Sequence, residues 1–187
     1  PHIISSPFGK MKINAELIER SAAFTNCIKD RELDMRGNKI TAIENLAITR
    51  DRFDTLDLTD NEIRVLGNFP TLAKLSTLLV SNNQIGQIDD DMAGRLPNLT
   101  TLVLTNNRFE ALEDLSNLRL FPGLRHLTLM DNSVCKKPEY RAFVINLCPK
   151  LKTLDFQRVT EAERVAAQKS ETVLSGKAKR HSASTES

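Results

Sequence analysis

The sequence predicts an α/β fold, a curved solenoid in which each coil contributes one short strand to a parallel sheet. One frame of residues, L-x-x-L-x-L-x-x-N-x-I, recurs along the chain. Full copies begin at Phe53, Leu75, Leu99 and Leu124, and a shorter copy begins at Leu33. The asparagines of the frame are spaced by 23, 22, 24 and 25 residues, at Asn38, Asn61, Asn83, Asn107 and Asn132. Repeats of about 20–29 residues with this frame are typical of leucine-rich repeats.

Alternation within each repeat predicts the strand. In residues 101–105, Leu102 and Leu104 alternate with threonine and valine. A period of two is expected of a strand with one buried face. Because one strand cannot bury its apolar face alone, successive repeats are expected to stack, with the parallel sheet on the concave side of the solenoid.

The repeated asparagine is predicted to be structural. It follows the strand of its coil, at the point where the chain turns away from the sheet. A buried side-chain amide there can hydrogen-bond backbone groups of its own turn and of the neighbouring coil. Each such group would cost about 1–3 kcal/mol if it were buried without a partner. We therefore expect a ladder formed by Asn38, Asn61, Asn83, Asn107 and Asn132.

The segment before the first repeat predicts an N-terminal capping helix. Asn14 is a suitable N-cap, and a helix is predicted from about Ala15 to Cys27. Apolar residues expected on its buried face lie close to helical spacing at Leu17, Ile18, Ala22, Phe24 and Ile28. A solenoid needs such a cap because its first strand would otherwise expose an apolar edge. The helix would place the thiol of Cys27 in the core.

The segment after the last repeat predicts a C-terminal helical cap. A helix is expected from about Pro138 to Asn146, followed by a final strand at Leu151, Leu154 and Phe156. Val159 stands where a sixth asparagine would fall. The repeat is therefore expected to end at this strand.

The chain divides into three regions. They are residues 1–10, an extension that is either native or foreign, residues 11–165, the repeat domain with its caps, and residues 166–187. The last region is expected to continue as an exposed helix to about Thr172 and then as a disordered tail. Its short basic cluster, Lys177, Lys179 and Arg180, is interpreted as a solvated tail, or as a localisation signal or nucleic-acid contact.

Composition and motifs exclude several classes of function. Of 187 residues, 27% are charged and 40% hydrophobic, and the net charge is +2. Apolar runs are far shorter than the roughly 20 residues of a membrane-spanning helix, so no membrane association is expected. The repeats contain one histidine, His126, no pair of metal ligands, no glycine-rich phosphate loop and no nucleophile elbow. The prediction is a protein with no enzymatic activity, metal, cofactor or small-molecule substrate. Three cysteines without paired spacing favour a reducing compartment.

The outward strand positions form the predicted binding surface. Alternation places on the concave face Glu32, Asp34, Arg36, Thr55, Asp57, Thr59, Thr77, Leu79, Ser81, Thr101, Val103, Thr105, His126, Thr128, Met130, Thr153, Asp155 and Gln157. One end is charged, and Leu79, Val103 and Met130 place apolar side chains at the centre. Scattered surface apolar residues are normal. An apolar centre within a polar concavity, however, is typical of a protein interface, and we predict that this face binds a protein.

Three stretches of the chain carry a resemblance to a known family. Residues 15–46, which include the run RELDMRG, residues 60–85 and residues 140–159 resemble the A-prime family of the U2 small nuclear ribonucleoprotein. The resemblance covers about residues 11–165. It implies a nuclear component of the spliceosome whose concave sheet binds a helix of an RNA-recognition-motif partner, the B-double-prime protein. The pair would then bind a stem-loop of U2 RNA.

Three cations near the final strand are candidates for RNA contact. Lys150, Lys152 and Arg158 lie close together in the sequence, where they could touch a phosphate backbone that the partner presents.

Two alternatives come from other classes of function. The repeats and the cap at residues 140–155 also resemble phosphatase-binding regulatory leucine-rich repeat proteins, but those proteins usually carry many more repeats and lack the RELDMRG-like start. Direct RNA binding without a partner would need a basic groove with aromatic stacking residues. The predicted groove instead contains acidic residues and no aromatic residue.

Overall fold

The computed structural model describes residues 11–169. The strands are β1 (Met11–Lys12), β2 (Ala22–Thr25), β3 (Arg31–Asp34), β4 (Ile40–Ala42), β5 (Thr55–Asp57), β6 (Val65–Leu66), β7 (Thr77–Leu79), β8 (Gln87–Ile88), β9 (Thr101–Val103), β10 (His126–Thr128), β11 (Thr153–Leu154) and β12 (Gln157–Arg158). The α-helices are α1 (Ala15–Arg20), α2 (Met92–Arg95) and α3 (Tyr140–Leu147), and residues 161–169 are also helical. Short 3-10 helices span Leu46–Thr49, Glu113–Leu120 and Ser133–Lys136.

The main sheet confirms the predicted solenoid. Its eight strands lie in the order β12-β11-β10-β9-β7-β5-β3-β2, and the six strands from β3 to β11 are parallel neighbours. The middle leucine of each strand from β3 to β10, such as Leu78 and Leu102, is almost completely buried. On the other side of this core lie the 3-10 helices and two small parallel pairs, β1 with β4 and β6 with β8. The alternation of residues therefore selects which face of each coil is buried.

Four of the repeated asparagines form a buried hydrogen-bond ladder. The Nδ2 atom of Asn107 donates to the carbonyl oxygens of Val80 and Leu104, each at 3.0 Å, and its Oδ1 accepts from the amide of Ile85 at 3.0 Å. Asn83 makes the equivalent bonds to its own coil and the preceding one. Asn61 and Asn132 do the same. After each strand the chain turns away from the sheet, so the backbone groups there are outside the strand-to-strand hydrogen bonds. The asparagine amides give these buried groups their partners.

Asn38 differs from the other four because no coil precedes it. Its side chain is only half-buried and donates to the nearby carbonyl of Arg36 at 3.0 Å. Its own backbone amide donates to Oδ1 of Asn61 at 3.1 Å. Asn38 therefore joins the ladder through its backbone amide, and its side chain does not bridge two coils.

A second set of asparagines, which the repeat frame does not include, links the coils on the convex side. Asn68 and Asn117 each donate from Nδ2 to a main-chain carbonyl of the preceding coil, at 2.7 and 2.8 Å, and Asn45 donates to the carbonyl of Ile13 in the N-terminal cap at 2.9 Å. The backbone of Asn45 and Asn68 is left-handed, with φ of 58° at both, a conformation that asparagine tolerates better than most residues. A leucine or phenylalanine follows each of the three. The same dipeptide also occurs at Asn98 and Asn146, so it does not by itself identify the second set.

The predicted N-terminal helix is wrong beyond Arg20. The helix α1 ends there, and the chain returns as β2, which pairs antiparallel with β3. The pairing gives backbone partners to the otherwise open edge of β3, which a continued helix would leave unsatisfied. Phe24 and Ile28, expected in the core, are 44% and 68% exposed, and Cys27 is an exposed thiol.

The C-terminal cap agrees with the predicted helix within about two residues, but its strand is shorter than expected. The chain turns after β11 and pairs antiparallel as β12. Asp155 and Phe156 form the turn with φ of 52° and 62°, which leaves Phe156 79% exposed and outside the core. The basic tail and residues 1–10 lie outside the described residues, as does the predicted helix end at Thr172.

Asp155 closes the hydrogen-bond pattern of the sheet. In earlier coils the backbone amide of the first residue after the strand donates to a main-chain carbonyl of the next strand. Leu104, for example, donates to Thr128 at 2.7 Å. In the last coil the amide of Leu129 donates to Oδ1 of Asp155 at 2.7 Å, and the Tyr140 hydroxyl donates to Oδ2 at 2.8 Å. The alternation predicted that Asp155 is an acidic group of the groove. Its side chain is instead held by the cap.

We predict that Asn107→Leu lowers the free energy of unfolding by about 1–3 kcal/mol, because backbone groups of two coils lose their partner. Asn83→Leu should behave alike. The control is Arg108→Leu at the adjacent exposed position, for which a change within about 0.5 kcal/mol is expected. Urea denaturation measures all three variants. Equal stability of Asn107→Leu and the parent would contradict a structural role for the ladder.

We predict that one of the three thiols reacts rapidly with a maleimide at pH 8. Cys27 is exposed, whereas burial raises the pKa of Cys148 to about 12 and also raises the pKa of the half-buried Cys135. The two latter thiols are therefore protonated and shielded, and should react only on unfolding. Mass spectrometry counts the labels. Cys27→Ser should abolish the fast reaction, whereas a parent protein without a fast thiol would favour the longer capping helix.

Candidate functional site

The strand register assembles the predicted binding residues into two rows across the concave face. Residues on either side of the buried central leucines point away from the core. The first row, joined by the pairing of neighbouring strands, is Glu32, Thr55, Thr77, Thr101, His126 and Thr153. The second row is Asp34, Asp57, Leu79, Val103 and Thr128. Arg36 and Met130 follow the strand ends of the first and fifth parallel strands.

Three residues of these rows are less accessible than the alternation predicted. Thr55, Asp57 and Thr128 are only 2%, 6% and 6% exposed. The Asp57 carboxylate accepts a hydrogen bond from the amide of Thr59 at 2.9 Å, and Arg36 lies over it. Asp57 is thus covered by one contact from its own coil and one from the neighbouring coil. These residues support the surface more than they contact a partner.

The acidic end of the face is partly neutralised by Arg36. Its Nη2 atom lies 2.6 Å from Oδ2 of Asp34, and its Nε atom lies 3.5 Å from Oδ2 of Asp57. The hydrogen bond from Arg36 holds the pKa of Asp34 below its ordinary value, and the same bond raises the pKa of the guanidinium. Glu32 accepts from Nδ2 of Asn26 at 3.0 Å. Three carboxylates with one guanidinium leave this end negative, but in a fixed arrangement.

The centre of the face is apolar and accessible. Leu79 and Val103 are adjacent in the second row, and both are half-buried. Met130, two residues beyond the row, is 41% exposed. The hydroxyls of Thr77 and Thr101 border this centre along the first row. A hydrophobic contact surface of this kind, framed by polar groups, is suited to a protein partner.

Phe24 belongs to the same face and was missed by the sequence analysis. It lies opposite Glu32 in the antiparallel pair of β2 and β3, and cross-strand neighbours share one face of a sheet. Its side chain is 44% exposed. The predicted helix concealed this position, since a strand assignment needs the pairing with β3. The concave face therefore begins with an aromatic residue.

The opposite end of the face is basic. Lys150, Lys152 and Arg158 are all exposed and form no ion pair with any residue of the described range. Arg158 lies opposite Thr153 and so shares the concave face, whereas Gln157 lies opposite the buried Leu154 and does not. The prediction that Gln157 faces the groove is therefore wrong. An antiparallel return reverses the parity that the parallel strands follow.

His126 has a local role at the same end. Its Nδ1 atom lies 2.9 Å from the Thr153 hydroxyl of the next strand.

Within residues 11–169, no three His, Cys, Asp or Glu side chains are grouped as metal ligands. Among the described helices, none has the length and apolar character needed to span a bilayer.

Comparison with known proteins identifies the family. A family model described as Leucine-rich repeat matches residues 10–183. The chain is 49% identical over 157 residues to the U2 small nuclear ribonucleoprotein A′ of Arabidopsis thaliana, and 48% identical over 159 residues to that of Homo sapiens. These alignments cover 84% and 85% of the chain. The chain spans only 63% and 62% of the length of those relatives.

A solved structure agrees with this assignment. A chain in the crystal structure of the Drosophila melanogaster SNF/U2A′ complex superimposes with a TM-score of 0.83 and 43% sequence identity. The match covers 85% of this chain and 91% of that one. The chain therefore belongs to the leucine-rich repeat family of U2 small nuclear ribonucleoprotein A′ proteins.

Proposed function

We propose that the chain is a non-enzymatic adapter of the U2 small nuclear ribonucleoprotein and works in the nucleus in pre-mRNA splicing. Its concave face binds a helix of an RNA-recognition-motif protein of the B-double-prime type, and the pair binds a stem-loop of U2 RNA. The observation that carries the proposal is the accessible apolar pair Leu79 and Val103 at the centre of an otherwise polar concave sheet.

The dimensions of the sheet suit a helix. Six parallel strands at about 4.8 Å spacing span roughly 24 Å from the first to the last. A helix with its side chains is about 10–12 Å across, so it fits on this face with space for flanking contacts. Its apolar stripe would lie on Leu79 and Val103, and Met130 and Phe24 could contact it towards opposite ends.

Charge gives the helix a preferred direction and partner. Glu32 and Asp34 at one end favour lysines or arginines on the partner, and Lys152 and Arg158 at the other end disfavour them. Such complementarity affects association rate and choice of partner more than affinity. Asp57 contributes to this field from a buried position, because its carboxylate is bound by Thr59 and covered by Arg36.

The relatives support the same class of function. The A′ proteins that the chain resembles are, by name, parts of the U2 small nuclear ribonucleoprotein. The similar Drosophila chain was crystallised in a complex of SNF and U2A′. The similar Drosophila chain thus supports a protein partner, and the concave face of this chain offers an apolar centre that can receive one.

RNA binding is proposed to be shared with the partner. Lys150, Lys152 and Arg158 lie beside the end of the concave face, where they can reach phosphates of an RNA that the bound partner holds. Because they are unpaired within the described range and exposed, they remain available for phosphate contact. Contacts of this kind position the RNA and carry little sequence information.

We predict that Val103→Asp weakens binding of the partner by about 2 kcal/mol, or about 30-fold, because a carboxylate is placed against the apolar stripe of the helix. The matched control is Val65→Asp on β6, which is 41% exposed on the other side of the solenoid. Titration calorimetry gives the affinity, and circular dichroism tests the fold. Unchanged affinity of a folded Val103→Asp variant would remove the concave face from the interface.

We predict that replacing Lys150, Lys152 and Arg158 with glutamine weakens RNA binding by the protein pair and lowers its salt dependence. Each lost phosphate contact should reduce the slope of log K against log salt by about 0.9 for a duplex and about 0.7 for a single strand. Lys74→Gln is the control. Lys74 occupies, in an earlier repeat, the position before the leucine that Lys150 occupies in the last one. Fluorescence anisotropy over a salt series measures the slope. A slope equal to that of the parent would place the RNA elsewhere.

A further inference from the structure

The most exposed large apolar side chain of the described residues is Phe156, which is 79% exposed at the tip of the β11–β12 turn. Burial does not explain this phenylalanine. Turn chemistry does not explain it either, because two consecutive residues with positive φ form a turn that prefers asparagine and glycine. A bulky residue with φ of 62° is unusual. Exposure and an unfavourable backbone conformation at one position indicate a functional contact.

The turn that carries Phe156 is held rigidly. The side chain of Asp155 is bound by the amide of Leu129 and the hydroxyl of Tyr140. The guanidinium of Arg141 donates to the carbonyl of Leu154 at 3.3 Å and to that of Arg158 at 3.2 Å. The hairpin is thus fixed on both sides of the ring. A ring held in this way loses little conformational entropy when a ligand stacks on it.

Exposed cations lie along the hairpin that carries the ring and on the coil beside it. Arg158 follows Phe156 by two residues on β12, and Lys152 lies at the start of the same hairpin. The backbone amide of Lys152 donates to the carbonyl of Arg125 at 2.6 Å, which brings a third exposed cation onto the neighbouring coil. Two carboxylates at this end are occupied, since Asp155 is bound by the cap and Glu163 pairs with Arg141 at 2.6 Å.

We propose that Phe156 is a stacking platform for one nucleobase of a single-stranded nucleic acid, whose phosphates contact Arg125, Lys152 and Arg158. An exposed aromatic ring on a hairpin that also carries unpaired cations is suited to a single-stranded nucleic acid, because the ring can receive a base and the cations can contact the backbone. The choice of RNA rests on the proposed function. The stacking site itself rests on the hairpin alone.

The test uses the full chain and a fluorescein-labelled oligouridylate of about eight nucleotides, within the usual site size for one binding module. Phe156→Ala keeps the β-carbon and therefore the backbone strain, and should weaken binding by about 5- to 100-fold. Phe156→Tyr should restore binding. The control Val165→Ala removes an apolar side chain that is 43% exposed, and should leave binding unchanged.

A second probe separates stacking from charge. An abasic oligomer of the same length presents phosphates without bases, so it should bind the parent and Phe156→Ala equally. Because the sequence contains no tryptophan, Phe156→Trp provides a single reporter whose fluorescence should be quenched by the oligouridylate and not by the abasic oligomer. Arg158→Gln should weaken binding of both probes.

Several outcomes would overturn the proposal. They are equal binding of oligouridylate by Phe156→Ala and the parent, no measurable binding by the parent, and a loss of partner affinity in Phe156→Ala without RNA, which would make the ring a protein contact. Val103→Asp distinguishes this test from that of the proposed function. It should leave oligouridylate binding unchanged, whatever its effect on the partner.

Discussion

The solenoid depends on one interaction, the buried asparagine amide that joins each coil to the one before it. A chain that turns every 22–25 residues leaves backbone groups inside the molecule where no regular ladder can satisfy them. Asn61, Asn83, Asn107 and Asn132 each supply an acceptor and two donors at that point. Because an amide with both capacities is needed, neither an apolar residue nor a carboxylate can replace it without loss. The regular leucine core follows from coils held in this register.

The ends of the solenoid need other solutions, and these solutions create its distinctive surface. At the start, β2 satisfies the edge of β3 and brings Phe24 onto the concave face. At the other end, the carboxylate of Asp155 substitutes for the carbonyl of a further strand, and the resulting turn exposes Phe156. Capping therefore brings two aromatic side chains to the surface. Their positions bracket the concave face and make each end chemically different from the repeats between them.

The concave face combines an apolar centre with ends of opposite charge. Arg36 fixes Asp34 and covers Asp57, so the acidic end is organised before any partner arrives. The cations at the other end have no such partners within the described range. In the proposed interface, the apolar centre would supply most of the binding energy, and the charged ends would select and orient the partner.

The repeats, the buried leucines, the asparagine ladder and most of the concave face can be predicted from the sequence. Each coil contacts neighbouring coils with the same pattern, so a local pattern is sufficient to predict which face of a strand is buried. The remaining features depend on long-range contacts. The return of β2, the burial of Thr55, Asp57 and Thr128, and the exposure of Cys27 and Phe156 depend on pairing at the sheet edges and between side chains on neighbouring coils. Such pairings join residues distant in sequence, and therefore no local period records them.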